Sequence, residues 1–341
     1  MKKVDAHIYG NEDNPKTGVS NAYKTKPHAI KQPMMSIVSG TRNSGKSFLI
    51  SKIIKQAQRH STFDEVFIIT PSMLSNLSYF GPFIPDENVY KPVAGCIEKV
   101  IARVETLRSE WQDFLQEKKD YKEYMATLKG KNEFTEEQLY KYTELSWLDG
   151  IPSPPVWKYK KERAPQSCLI LDDCLGSRVL LQSSGLATIA TLNRHIAPIE
   201  PEYVQNDGRT ALGLAIILAT QSYASQNGVP RLMRENTTTL ILVGHMKHES
   251  QMAKISTELS GNIDADEFIQ AHSYATKEKY GSLTIEFFPD CPTQTFRHNL
   301  GSYLVFPSQE AECKCKKKPK MKRMDVVPIM EDKGDKPAPK V

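Results

Sequence analysis

Three features that are typical of membrane or secreted proteins are missing from this sequence. No uninterrupted apolar segment approaches the roughly 20 residues that a bilayer-spanning helix needs. The amino-terminal stretch MKKVDAHIYGNEDNPK lacks the apolar centre of a secretory signal. The six cysteines contain no pair of C-x-x-C units and no spacing typical of a disulfide framework. We therefore expect a reduced protein that works inside a cell or inside a particle made there.

Length and composition leave the number of domains open. The chain has 341 residues, of which 39% are hydrophobic and 25% are charged, with a formal net charge of +5. These fractions are typical of a globular protein with a sizeable core. The length allows one large α/β domain with embellishments, or two ordinary domains.

The strongest motif is an octapeptide that fits G-x-x-x-x-G-K-[ST] in full. Its glycines allow backbone N–H groups to turn inward around a phosphate. Its lysine reaches the β- and γ-phosphates, and its last hydroxyl can bind Mg²⁺, while the following helix start favours an anion. The sequence therefore predicts a nucleotide-binding loop formed by Gly40, Thr41, Arg42, Asn43, Ser44, Gly45, Lys46 and Ser47.

The surroundings of this loop argue against a chance match in a polar segment. An apolar run, residues 34–38, precedes the loop and predicts a buried strand. Apolar residues recur at helical spacing over residues 46–58, and a β-branched run, residues 65–69, predicts a second strand. Strand, loop, helix and strand in this order are typical of the beginning of a doubly wound sheet.

A long stretch of charged residues, from about 96 to 148, interrupts the alternation of strands and helices. Apolar residues at spacings of three and four predict one long amphipathic helix, followed by shorter helices around 121–128 and 136–147. We expect this segment to cover one edge of the sheet. Its alternative role is an arm that docks a partner.

A second strong signal is the run Ser-Cys-Leu-Ile-Leu-Asp-Asp, residues 167–173. It predicts a buried strand that ends in two carboxylates. Beside a phosphate loop, the first acid is placed to hold Mg²⁺ and the second to orient or deprotonate the attacking water. We assign these roles to Asp172 and Asp173 respectively. The alternative is an Asp-Asp turn that closes an ordinary strand.

Further along, the apolar pattern predicts a helix over residues 179–195 and a third buried strand over residues 212–221. That strand ends in Thr220 and Gln221, whose polar side chains can report whether a γ-phosphate is present. Additional strands are predicted at 239–244, 282–288 and 303–306, with helices near 249–259 and 265–271.

The two ends of the chain have a different character from the middle. Residues 1–30 are polar and predict an extended arm, while residues 31–310 form the expected nucleotide-binding domain, with its helical insertion at about 96–150. Residues 311–341 form a basic tail that we expect to be disordered, because seven of the eleven residues from 313 to 323 are Lys or Arg. Such a run grips nucleic acid nonspecifically or simply solubilises the chain.

The order of these motifs resembles that of a known family. A phosphate loop (Walker A), a strand ending in two acids (Walker B), the stretch Asn193-Arg194-His195 and a strand ending in Thr-Gln follow one another here. This order resembles the DNA-packaging ATPases of poxviruses, other large DNA viruses and virophages, within the HerA–FtsK group of DNA-pumping motors. The likeness spans roughly residues 30–306.

The resemblance carries expectations about fold and assembly. It implies a RecA-like P-loop NTPase fold of the ASCE type, α/β in class, with a mainly parallel central sheet and the sensor strand between the loop strand and the acidic strand. It implies a ring of six or five copies in which an arginine of one subunit completes the site of the next. Arg194 is our first choice for that arginine and Arg209 the second, with Arg231 and Arg234 behind them.

The resemblance also carries expectations about function. It implies ATP and Mg²⁺ as cofactors, double-stranded DNA and a capsid or portal-vertex protein as partners, and hydrolysis that drives viral DNA into a preformed capsid. The implied location is the host cytoplasm or a viral factory, with association with the virion as a further expectation. The alternatives are a cellular or plasmid DNA translocase or helicase of the same superfamily, and a nucleotide-binding scaffold or switch that hydrolyses slowly.

Overall fold

A computed structural model describes residues 1–5, 30–72, 79–130, 133–150, 152–224, 228–244, 249–259 and 263–312. Most of the predicted amino-terminal arm and nearly all of the basic tail lie outside these ranges. None of the helices within them is long and apolar enough to cross a bilayer.

Ten described strands form one sheet in the order β1-β10-β9-β8-β7-β2-β6-β5-β3-β4. The pairs from β7 to β4 are parallel and those from β7 to β1 are antiparallel. The predicted mixed α/β class with a mainly parallel central sheet is therefore confirmed. The strands are β1 (Lys2–Asp5), β2 (Met35–Ser39), β3 (Glu65–Ile69), β4 (Val89–Tyr90), β5 (Ser167–Asp172), β6 (Leu214–Thr220), β7 (Thr239–Val243), β8 (Ser282–Glu286), β9 (Phe296–His298) and β10 (Ser302–Val305).

Helices cover both faces of this sheet. On one face, α1 buries its apolar stripe against alternate side chains of β2, β3, β5, β6 and β7. On the other face, the intervening side chains of the same strands share a larger buried cluster with α2, α5, α7 and α8. Continuous apolar strands are expected where both faces are covered. The helices described include α1 (Lys46–Arg59), α2 (Cys96–Gly130), α3 (Glu136–Glu144), α4 (Arg178–Leu181), α5 (Ser184–Leu192), α6 (Arg231–Glu235), α7 (Glu249–Leu259), α8 (Ala265–Ala275) and α9 (Pro307–Glu312).

The long helix α2 differs from its prediction in length and in position. It runs for 35 residues without the predicted break before Tyr121. Its amino-terminal half, from Ile97 to Trp111, shares a buried cluster with Phe67 of β3 and Leu169 of β5, which point to one face of the sheet. The expectation that the segment covers an edge is therefore wrong. Its apolar stripe packs on apolar side chains of the sheet face that it shares with other helices. Burying both apolar surfaces is more favourable than covering an edge strand.

The carboxyl-terminal half of α2 has a small core of its own. Tyr124, Tyr142 and Trp147 are buried together and pack edge-to-face or stacked, with ring centroids 4.9–5.6 Å apart. The Tyr124 hydroxyl donates to the carbonyl of Trp147 at 2.8 Å. A capping box starts α3, because the Thr135 hydroxyl accepts from the N–H of Gln138, whose side chain accepts from the N–H of Thr135. The insertion is therefore a helical hairpin closed by aromatic packing.

Several local features differ from the sequence prediction. The predicted helix 179–195 is two helices, because the side chains of Ser177 and Ser183 cap α4 and α5 separately. The short strands β1, β4 and β9 were not predicted. Cys96, Cys168 and Cys174 are free and buried, whereas Cys291 is disulfide-bonded, contrary to the expectation of a fully reduced chain.

A buried ion pair holds the antiparallel part of the sheet. Arg297 of β9 has no exposed surface, and Glu286 of β8, 6% exposed, forms a salt bridge with it. The guanidinium carbon of Arg297 also lies 4.7 Å from the ring centroid of Tyr303 on β10. The contacts of Arg297 therefore link three neighbouring strands. Burying its positive charge would be unfavourable without the paired carboxylate of Glu286.

Removing one partner of this pair should destabilise the fold more than removing both. We expect Glu286→Ala to lower the free energy of unfolding by about 3–5 kcal/mol, since Arg297 would stay buried without its counter-ion. Glu286→Leu combined with Arg297→Met should recover most of that loss. Urea unfolding curves would measure both, with Glu235→Ala, which breaks the exposed Arg231–Glu235 pair, as the control. A loss from Glu286→Ala no larger than that of the control would contradict this prediction.

Candidate functional site

The predicted phosphate loop connects the end of β2 to the start of α1. Asn43 and Gly45 both have left-handed backbone angles, with φ of 62° and 99°. Gly45 is the residue before α1, and its carbonyl accepts the helical hydrogen bond from the N–H of Leu49 at 2.9 Å. The glycine conformation lets the chain turn sharply into the helix, so that the free N–H groups of the first turn face the loop.

Gly40 is required for space, whereas Gly45 is required for its backbone angle. A Cβ at Gly40 would lie 2.5 Å from the carbonyl oxygen of Val243 and 2.6 Å from the hydroxyl of Ser44. The N–H of Gly40 donates to the carbonyl of Thr220 at 3.2 Å. The loop therefore starts in close contact with the ends of β7 and β6.

Lys46 points back into the loop. Its side chain is 7% exposed, and its ammonium donates to the carbonyls of Gly40 at 2.8 Å and Thr41 at 3.0 Å. Burial lowers the pKa of Lys46, and the negative charges of Asp173 and Asp172 partly oppose that shift. A buried ammonium held by two neutral carbonyls is a ready partner for a more negative group such as a phosphate.

The strand pairing brings the predicted acids and the predicted sensor to the carboxyl-terminal ends of the parallel strands, where the phosphate loop also begins. In the parallel ladders, Ser39 of β2 is opposite Thr220 of β6, and Ala219 of β6 is opposite Asp172 of β5. The sensor strand thus lies between the loop strand and the acidic strand, as expected from the resemblance. Asp172 is 4% exposed at its strand end, and the exposed Asp173 follows it.

Asp173 and Gln221 contact each other directly. The amide nitrogen of Gln221 donates to the carboxylate of Asp173 at 3.2 Å. Asp173 has a φ of 49° and its N–H donates to the carbonyl of Ala219 at 3.3 Å, so its side chain turns away from the strand direction. Thr220, in contrast, is buried and its hydroxyl bonds to the backbone of Ser222, which indicates a structural role.

The oxygen donors at this edge fit a hard divalent cation. Asp172 offers a buried carboxylate and Ser47, partly buried in the first turn of α1, offers a hydroxyl. The buried hydroxyl of Ser44 has no hydrogen-bond partner among the described residues. Carboxylate and hydroxyl oxygens are ligands that Mg²⁺ accepts together with phosphate oxygens. The donor set therefore suits a magnesium–nucleotide complex.

The first two choices for the arginine that acts on a neighbouring subunit lie near the amino-terminal ends of the parallel strands, opposite the acids. The carbonyl of Asn193 accepts from the N–H of Leu214, the first residue of β6, so Arg194 is close to the amino end of that strand. The seven residues of β6 separate it from Gln221 by about 20 Å. Arg194 is partly exposed there. Arg209 is 2% exposed, pairs with Asp207 at 2.9 Å and donates to the carbonyl of Ala164 at 3.0 Å.

The side of the loop that faces β7 and β8 was not predicted from the sequence. Gly244 follows β7 with a φ of 72°, and its N–H donates to the carbonyl of Gly281 at 2.8 Å. Tyr280, with a φ of 68°, lies against Gly45. A non-glycine residue keeps a positive φ only where the surrounding structure holds it in place. The glycine of the run Lys-Tyr-Gly-Ser, residues 279–282, is a local signal for a turn before β8, but it carries no information about the contact with the loop.

Adding a methyl group at Gly40 should disable the loop. We expect Gly40→Ala to weaken ATP binding by at least about tenfold, because its Cβ would collide with the fixed carbonyl of Val243. Gly150→Ala, at a position with open space around it, is the matched control. Equilibrium titration with a fluorescent ATP analogue measures both, and wild-type affinity in Gly40→Ala would contradict the assignment of this loop.

Comparison with known proteins gives distant structural likenesses. No protein-family model matches the chain, and no curated protein matches it. Among solved structures, the genome packaging NTPase B204 from Sulfolobus turreted icosahedral virus 2, in complex with ATP-gammaS, is 14% identical, covering 78% of this chain and 97% of that chain at a TM-score of 0.38. The pCW3 conjugation coupling protein TcpA with ATPgS is 12% identical, covering 89% and 71% at a TM-score of 0.40. ATPases 2 and 3 of EssC from Geobacillus thermodenitrificans are 12% identical, covering 87% and 46% at a TM-score of 0.41.

Proposed function

We propose that this protein is an ATPase that couples hydrolysis to the movement of double-stranded DNA, and that it serves as a viral motor that fills a preformed capsid. One observation supports the ATPase assignment most strongly. The phosphate loop, the acid pair and the Gln221 amide bonded to Asp173 meet at one edge of the sheet. This is the set of groups that phosphoryl transfer to water requires.

Each group at this edge has a distinct role in the proposed reaction. Lys46 exchanges its two carbonyl partners for the β- and γ-phosphates, and the N–H groups at the start of α1 bind the same anion. Ser47 and Asp172 would hold Mg²⁺, which would neutralise part of the phosphate charge. Asp173, exposed beside them, orients the attacking water and accepts its proton.

Gln221 links Asp173 to the loop that follows β6. Its amide now donates to Asp173. A γ-phosphate arriving between them competes for the same donor, so the bond to Asp173 is exchanged for a bond to phosphate. After phosphate release the original bond returns. The hydrogen-bond partner of Gln221 therefore depends on whether the γ-phosphate is present. Because Gln221 begins the loop that follows β6, the exchange of partner is transmitted to that loop.

The proposed assembly is a ring in which Arg194 acts on the neighbouring subunit. Because Arg194 lies about 20 Å from the acids of its own chain, it can contribute only in trans. Its partial exposure permits this. The burial of Arg209 and its pairing with Asp207 make it the weaker choice. A guanidinium placed in trans would stabilise charge that develops on the transferred phosphate.

The DNA and capsid parts of the proposal rest on the motif order and on charge. The acidic strand, the Asn-Arg-His stretch and the Thr-Gln strand end follow the loop in the order described for packaging motors. The net charge of +5 and the Lys- and Arg-rich run at 313–323 favour a polyanionic partner. The proposed site of action is the host cytoplasm or a viral factory, at the vertex of the capsid.

Replacing the proposed base should stop hydrolysis without stopping binding. We expect Asp173→Asn to reduce steady-state ATP turnover by at least about 100-fold, because the amide cannot accept the proton of water. Wild-type turnover should rise with protein concentration and with added double-stranded DNA. Asp149→Asn, at an exposed position in the helical insertion, is the control. Unchanged turnover in Asp173→Asn would refute the site, and turnover insensitive to DNA would refute the motor.

Mixing two inactive variants should test the proposed action of Arg194 in trans. Lys46→Ala lacks a working loop and Arg194→Ala lacks the donated arginine, so each alone should be inactive. In a mixture, the intact loop of Arg194→Ala can face the intact Arg194 of the Lys46→Ala subunit, and we expect a substantial fraction of wild-type turnover to return. Turnover that stays at the level of the single variants, in a mixture shown to co-assemble, would exclude this arginine.

A further inference from the structure

An exposed aromatic side chain touches the phosphate loop from the side opposite the acids. A Cβ at Gly45 would lie 3.0 Å from Cδ1 of Tyr280, so the tyrosine ring packs directly on the last turn of the loop. Tyr280 nevertheless keeps 53% of its surface exposed. The ammonium of Lys279 lies 5.0 Å from the ring centroid, within the range of a cation–π contact.

The turn that carries Tyr280 is held firmly in an unfavourable conformation. Tyr280 has a φ of 68°, which is a genuine outlier for a bulky residue. The N–H of Gly281 donates to the carbonyl of Glu278 at 2.9 Å, and its carbonyl accepts from Gly244 at 2.8 Å. A Cβ at Gly281 would lie 2.3 Å from the carbonyl oxygen of Ala275. These contacts fix the backbone of the turn from which the Tyr280 ring projects.

The direction of a bound nucleotide follows from the strand order. The acids lie beyond β6 on one side of β2, while β7 and then β8 lie on the other side. A triphosphate that directs its γ-phosphate towards Asp172 and Asp173 directs its nucleoside away from them. β7 ends and β8 begins at the end of the sheet where the phosphate loop lies. The nucleoside of a bound triphosphate therefore emerges beside the turn that carries Tyr280.

We propose that Tyr280 is the platform on which the base of a bound nucleoside triphosphate stacks. This inference rests on the nucleotide binding proposed above and names a base-binding residue for that site. Stacking on an exposed tyrosine needs no hydrogen-bonding edge, so the platform accepts a purine by its π-face. It also gives the strained conformation a use, because a glycine would occupy the turn without strain but would provide no ring.

The test compares a ligand that has a base with one that has none. Isothermal titration of the full chain in Mg²⁺ buffer measures the dissociation constants of ATP and of inorganic tripolyphosphate. In Tyr280→Ala we expect the ATP constant to rise by roughly 5- to 150-fold, the range for loss of one base–aromatic stack. The tripolyphosphate constant should stay unchanged. Tyr280→Phe should behave as wild type, and Tyr140→Ala, at another exposed tyrosine on α3, is the control.

A purely structural role for the ring predicts a different result. Tyr280→Gly removes the ring and also relieves the positive φ, so its melting temperature should be no lower than that of Tyr280→Ala. Under the stacking proposal it still loses ATP affinity as Tyr280→Ala does. If the ring only supports the loop, the two ligands weaken together in every variant that lacks it.

Each outcome decides the proposal. Selective loss of ATP affinity in both Tyr280→Ala and Tyr280→Gly supports it. Equal effects on both ligands, no effect on either, or a wild-type affinity for ATP no greater than for tripolyphosphate would overturn the platform and leave the phosphate site intact. Failure of the wild-type chain to bind either ligand would overturn the proposed function as well.

Discussion

The hydrogen-bonded register of three parallel strands is the constraint on which the rest of this structure depends. β2, β6 and β5 pair so that their carboxyl ends stop at one edge, and each end continues into a different polar element. A shift of one residue in any of these ladders would turn the strand's side chains to the other face. Both faces are covered by apolar clusters, so burial of Ile37, Leu169 and Ile217 keeps the register. Core packing thus determines where Lys46, Asp173 and Gln221 meet.

Parts of this arrangement could be predicted from local patterns in the sequence. Residues 34–50 combine an apolar strand, a loop with fixed glycines and a helical stripe, so the position of the loop was predictable from local pattern alone. Asp172 follows a run that has no polar residue from Cys168 to Leu171, which marks a strand end beside the site. That Gln221 touches Asp173 was not predictable, because the contact depends on the left-handed turn at Asp173. Their catalytic roles stay predictions.

Other features were hidden because their partners are distant in the sequence. The charged segment around Glu98 looked like a cover for an edge, yet its stripe packs on a face formed by β3 and β5. Arg297 sits in a three-residue strand that no period reveals, and its partner comes from the preceding strand of the sheet. Tyr280 reaches the loop across 235 positions of the chain, through a turn whose geometry depends on Gly244. In each case a tertiary contact decided the local structure.

The length of α2 also has a mechanical consequence. Its 35 residues extend about 52 Å, whereas the five residues of β3 beneath it span roughly 17 Å. The helix is anchored to the main body by residues up to Lys118, which pairs with Glu162, and its last turns carry an aromatic core that is separate from the main clusters. Such an element behaves as a lever. A rotation of a few degrees where it crosses the sheet displaces its far end by roughly 2 Å, so a small rearrangement near β3 is amplified at the tip of the hairpin.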